Sequence, residues 1–184
     1  MSFLVEQDDS LLLNIDVQER LVPAIHGHER MCARIRLLVD AAKRLDVPVL
    51  YTEHYSKGIG HTLPELRVAG MTAIEKIHFN AMAEADGLAA CLDTAGRRKI
   101  LVCGCEAHVC VLQTVMGMIE ADFEVCVIQD AVGSRHGEDR SCALIRMQAA
   151  GATVLTAEMV VFEWLERGDN AAFPDLLPAI RALD

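Results

Sequence analysis

The chain has 184 residues, 52% of them hydrophobic and 24% charged, with a formal charge of −10; this suffices for one domain, 1–184, with a full core, and its scattered Lys and Arg exclude a nucleic-acid or anionic-membrane partner. Five Phe, two Tyr and one Trp are too few for a base-stacking platform, and no apolar stretch reaches the roughly 18 residues of a membrane span or resembles a signal peptide. Seven cysteines without a repeating spacing or a Cys-x-x-Cys pair fit reduced thiols in a cytoplasmic protein better than a disulfide framework or a zinc ribbon.

Short apolar runs alternate with helical patterns from end to end. The run 11–15 is continuously apolar apart from Asn14 and stops at Asp16, which predicts a buried strand. A helix follows over 30–45, with Ile35, Leu38, Val39 and Ala42 on one face and Pro48 beyond its end. The second strand is expected at 47–51, ending near Glu53, and a weaker third at 71–74, stopping before Lys76. A helix at 87–95 is closed by Gly96, a left-handed cap. The fourth strand is read at 100–103 and is broken by Gly104. A helical pattern (Val111, Val115, Met118, Ile119) starts directly after Cys110. Strand 125–128, helix 139–150 closed by Gly151, strand 153–155 and helices 158–167 and 175–183 complete the chain. Strands that do not alternate in polarity are covered on both faces, so the pattern predicts a six-stranded, mainly parallel sheet in a Rossmann-like three-layer α/β/α sandwich.

In such a sheet the carboxyl ends of the strands share one edge, where ligands bind. Asp16, Lys76 and Cys110 each follow a predicted strand and can therefore meet. Cys110 falls in the first turn of a helix, where free N–H groups and the macrodipole stabilise a thiolate, so its pKa is expected well below the usual value of about 8.5. Asp16 reads either as a turn cap or as a general acid or base tuned by burial and a nearby cation. Lys76 reads either as a solvated side chain or as the cation that holds such a carboxylate. Gln18 could bond substrate or local backbone, His78 and Asn80 could line the pocket or form a surface turn, and His108 could serve as a second base or face solvent. Cys103 reads as core, Cys105 as a neighbour able to support a thiol redox reading, and Asp130 as a structural turn residue.

Taken together these residues resemble a known family. Leu-Leu-Leu-Asn-Ile-Asp-Val-Gln-Glu-Arg (11–20), Glu-Lys (75–76), Val-Cys-Gly-Cys-Glu-Ala-His-Val-Cys-Val-Leu-Gln-Thr (102–114), Gln-Asp-Ala-Val-Gly-Ser-Arg (129–135) and Ala-Glu-Met-Val-Val-Phe-Glu (157–163) resemble the isochorismatase-like cysteine hydrolase superfamily. The loop Thr-Glu-His-Tyr-Ser-Lys-Gly-Ile-Gly (52–60) is similar to the marker of its compact branch of isochorismatase domain-containing proteins. The resemblance implies a triad at Asp16, Lys76 and Cys110, a non-proline cis peptide between Cys105 and Glu106, and an oxyanion hole made of the backbone N–H groups of Glu106 and Cys110. It also implies hydrolysis of a small amide or related C–N bond, and assembly as a dimer or larger homo-oligomer. Substrate contacts would come from loops 52–64 and 77–86, with Gln18, Glu53, Tyr55, His78, Asn80 and His108 as candidates.

The pattern departs from some relatives. Nicotinamidases of this superfamily hold a metal on an aspartate and histidines after the second strand; here Glu53, His54 and His61 lack the Asp-x-His arrangement, and no metal is expected. True isochorismatases need no cysteine, so Cys110 favours thiol chemistry. No Gly-x-Gly-x-x-Gly follows a strand and no Walker A motif occurs, so no nucleotide cofactor is expected. Beside the hydrolase reading stand a catalytically silent scaffold member and a thiol redox protein. The apolar positions Met159 to Leu165 could form a subunit contact or pack on the chain's own sheet.

Overall fold

The computed structural model describes residues 3–68, 73–85 and 87–183. Six strands, β1 Ser10–Ile15, β2 Val49–His54, β3 Ile74–Lys76, β4 Lys99–Cys105, β5 Glu124–Gly133 and β6 Thr153–Leu155, form one sheet in the order β3-β2-β1-β4-β5-β6. Every neighbouring pair is parallel. The strand order reverses between β1 and β4, which opens a crevice at their carboxyl ends.

The α-helices are α1 His28–Arg44, α2 Ser56–Ile59, α3 Leu88–Ala95, α4 Leu112–Glu120, α5 Gly137–Ala149, α6 Ala157–Leu165 and α7 Phe173–Arg181. Because successive strand residues point to opposite faces, β1 feeds two cores. Leu12 packs with Ile35 and Leu38 of α1 and with Trp164 of α6, while Leu11, Leu13 and Ile15 pack with Leu92 of α3, Val115 of α4 and Met147 of α5. These are the three layers the sequence predicts, and each buried Leu or Ile contributes about 1.5–3 kcal/mol.

The differences from the expected elements cluster where polar residues serve the crevice. β2 continues through Thr52, Glu53 and His54, because the Thr52 and Glu53 side chains bond the Asp16 carboxylate and the Thr62 N–H and the His54 backbone bonds Gln18. β3 is displaced to Ile74–Lys76, so Lys76 ends the strand; positions 71 and 72 of the expected run lie outside the described residues. β4 does not break at Gly104 but runs through it. There φ is 116°, and any Cβ would collide with the carbonyl of Ile15 on β1, so glycine permits the two central strands to close up beside the crevice. β5 extends to Gly133, with a register shift against β4 between Val102 and Gly104.

The C-terminal apolar stretch packs largely on its own sheet. Val160, Val161, Trp164 and Leu165 are buried, and Trp164 Nε1 donates to Ser10 Oγ at 3.0 Å. Only Met159 and Phe162 of that stretch remain as exposed large apolar side chains. Among the described residues no helix is long and apolar enough to cross a membrane.

Candidate active site

Asp16 leaves β1 with φ 51°, a left-handed conformation that Asp tolerates better than most residues. Its carboxylate is wholly buried. Oδ1 accepts from Thr52 Oγ1 at 2.6 Å, and Oδ2 lies 2.7 Å from Lys76 Nζ, with both side chains at 0% exposure. That second contact is ionic without hydrogen-bond alignment, so a lone pair of Oδ2 stays available. Lys76 Nζ also donates to the carbonyls of His78 (3.3 Å) and Phe79 (3.4 Å). Two charges removed from water persist only when paired and bonded in this manner.

Cys110 stands across from this pair. It lies in a π-helical turn, Ala107–Val111, that leads into α4, as a thiol at a helix start should. The Glu106 carbonyl accepts the N–H groups of Val109 and Val111, on either side of Cys110, and the peptide between Cys105 and Glu106 is cis. Cys110 is 6% exposed, and its thiol feels the charges of both Asp16 and Lys76.

The expected low pKa of this thiol is overturned. Burial, followed by the Asp16 charge, pushes it up to about 12, against the opposing pull of Lys76. The helix-start argument concerns a solvated thiol, whereas here desolvation disfavours the anion more strongly. The resting group is therefore a neutral thiol beside a carboxylate. Its alkylation by iodoacetamide should climb about tenfold per pH unit through pH 10 without levelling, because only the thiolate reacts. A plateau below pH 9 would contradict this.

The remaining candidates disperse. Gln18 is not available to a substrate: its amide donates to the carbonyls of His54 (3.0 Å) and Gly60 (2.6 Å) and accepts from the His54 N–H (2.8 Å), so it staples the end of β2 to the loop beyond. Glu53 is also spent, on the Thr62 N–H and His61 Nδ1, each at 2.7 Å. Tyr55 is exposed. His78 turns outward to Glu84, whose Oε1 also takes the N–H groups of Ile77 and His78; these bonds hold the Glu84 carboxyl down at about 2. Asn80 caps the turn Ala81–Ala83 through Met82 N–H. His108 Nδ1 bonds Ser134 Oγ at 2.9 Å. Asp130 accepts the Ala157 N–H and pairs with Arg34, a structural role.

Glu53, His54 and His61 do not form one cluster. His54 stacks on Phe79 at 5.2 Å, and the residue that joins Glu53 and His61 is Glu75, with one ligand atom from each within 4.8 Å of the others. Cys105 faces the α1 core and donates to the Asp16 carbonyl at 3.4 Å, whereas Cys110 belongs to the α4 core. This placement on opposite faces does not favour a Cys105–Cys110 redox couple.

Two neighbours of the site carry no sequence signal of their own. Thr52, which orients Asp16, looks like the end of an apolar run. Thr114 Oγ1, which accepts the Ala81 N–H at 3.0 Å and bonds the Phe79 carbonyl at 3.5 Å, ties the 77–81 loop to α4. A cavity of about 1000 Å³ lies elsewhere, between α1 and α5, lined by Arg30, Arg34 and Arg140, whereas Asp16, Lys76 and Cys110 are all buried.

Comparison with known proteins agrees with this architecture. The isochorismatase domain family matches residues 10–159. Isochorismatase domain-containing protein 2A of Mus musculus is 30% identical over 178 residues, covering 95% of this chain and 84% of the mouse protein. The structure of the MAR1 ribonuclease from Caenorhabditis elegans superposes with a TM-score of 0.89 at 31% identity, over 97% of this chain and 92% of the worm chain. The Escherichia coli YcaC gene product, described as an octameric hydrolase of unknown specificity, has the same fold: TM-score 0.87, 23% identity, 100% and 90% coverage.

Proposed function

The chain belongs to the isochorismatase domain family, and we propose that it is a cysteine-dependent hydrolase that opens a small amide or related C–N bond through a thioester on Cys110. The observation that carries this reading is the buried Asp16–Lys76 pair at 2.7 Å, whose two charges both act on the buried Cys110 thiol. Asp16 takes the thiol proton as sulfur attacks the carbonyl carbon, so the neutral resting thiol becomes a nucleophile only as the new bond forms. The backbone N–H groups of Glu106 and Cys110 hold the tetrahedral oxyanion. When the C–N bond breaks, Asp16 returns its proton to the leaving amine. A water deprotonated by Asp16 then attacks the thioester, the acid departs, and the proton passes back to sulfur. Lys76 keeps Asp16 anionic at the start of each half-reaction.

The burial of all three residues suits a small-molecule substrate, with selectivity in loops 52–64 and 77–86. The worm protein is called a ribonuclease, but a net charge of −10 weighs against a polyanionic substrate here. By analogy with the octameric bacterial hydrolase, this chain is also proposed to assemble with copies of itself. The test is ammonia release across a panel of small primary amides, with Cys110→Ala as control. Turnover by the unchanged protein alone supports the hydrolase. Failure of both proteins on every amide, with a protein partner bound equally by each, would favour the scaffold reading.

A further inference from the structure

We infer that Ser134 and Arg135, in the turn after β5, are positioning residues for the oxyanion site; the inference rests on the hydrolase reading above. The β4–β5 ladder reaches Cys105 opposite Gly133, and there the regular pairing of the two strands stops. Beyond it, side chains continue the connection residue by residue. Glu106 Oε1 accepts both the backbone N–H of Arg135 at 3.3 Å and its Nε at 2.9 Å. His108 Nδ1 bonds Ser134 Oγ at 2.9 Å. Ser134 is 1% exposed, and its carbonyl is itself fixed by the His26 N–H at 3.0 Å. The segment that supplies both proposed oxyanion donors, Glu106 and Cys110, is thus stitched at two points to a turn anchored in the sheet.

The exposure of these groups separates positioning from bulk stability. The Arg135 side chain is 54% exposed, so its ion pair with Glu106 is screened by water and contributes little to folding. What it does fix is the direction of the Glu106 side chain and, with it, the backbone beside the reacting carbon, where small displacements cost rate.

Two reactions of the same sulfur distinguish the possibilities. Acylation of Cys110 by p-nitrophenyl acetate passes through a tetrahedral oxyanion; alkylation by iodoacetamide does not. In Arg135→Ala, acylation should fall about 10- to 100-fold while alkylation at pH 8 and the melting temperature stay near those of the unchanged protein. Ser134→Ala should lose less, and Arg135→Lys should recover part of the acylation rate. An equal fall in both reactions would mean that Arg135 merely supports the fold or the thiol, and no change in either would mean that the stitch is idle; each overturns the inference. If the unchanged protein is alkylated at Cys110 but never acylated, the hydrolase reading itself fails, and the inference with it.

Discussion

Replacing Cys110 with alanine is expected to lower turnover of any amide substrate by about 10⁴-fold or more, the scale seen when a covalent nucleophile is removed from a preorganised site. The loss should lie in kcat, because the sulfur forms its bond after binding. Stability should change little by comparison, since a thiol and a methyl group differ by one buried atom and sulfur here makes no ladder or cap bond. Rates of ammonia release and urea unfolding curves, measured on the same preparations, separate the two effects. A variant that retains more than a tenth of the activity would place the chemistry on another group.

The second large effect concerns Lys76. Lys76→Met removes one partner of a pair whose side chains are both at 0% exposure and leaves the Asp16 carboxylate buried opposite a thioether. Breaking a buried pair on one side costs about 3–5 kcal/mol, most of it the penalty on the charge left behind. Asp16 would then take up a proton in preference to staying an unpaired anion, which removes the base that accepts the thiol proton. Both stability and activity should therefore fall. The double variant Asp16→Asn, Lys76→Met has no orphaned charge, so its urea midpoint should recover a large part of the loss while activity stays absent. If the double variant is as unstable as the sum of the singles, the pair is not the coupled unit described here.

Much of this was legible in the chain itself, and the physical reason is uniform. Runs such as 11–15 and 153–155 are apolar because both sheet faces are covered, and Asp16 is visible because a carboxylate at the end of such a run is out of place in a core. Lys76 stands out on the same ground, and Cys110 because a helical pattern begins directly after it. The parts that could not be read depend on partners distant in sequence. Thr52, Glu53 and His54 read as loop because the Thr52 and Glu53 side chains are satisfied by Asp16 and Thr62, and the His54 N–H by Gln18, all distant in sequence. Gly104 reads as a breaker because the close approach of Ile15 is a property of two strands. The Cys110 pKa departs from the local pattern for the same reason: a helix start is local, but burial against Asp16 is not.

The central claim is that Cys110 carries the substrate's acyl group as a thioester. Rapid quenching of the protein with a turned-over amide or p-nitrophenyl acetate, followed by peptide mass analysis, tests it directly. The account predicts an acyl-sized mass increase confined to the peptide that holds Cys110, removed by hydroxylamine and missing from Cys110→Ala. Sustained hydrolysis with no adduct on that peptide, or with hydrolysis undiminished in Cys110→Ala, would contradict it.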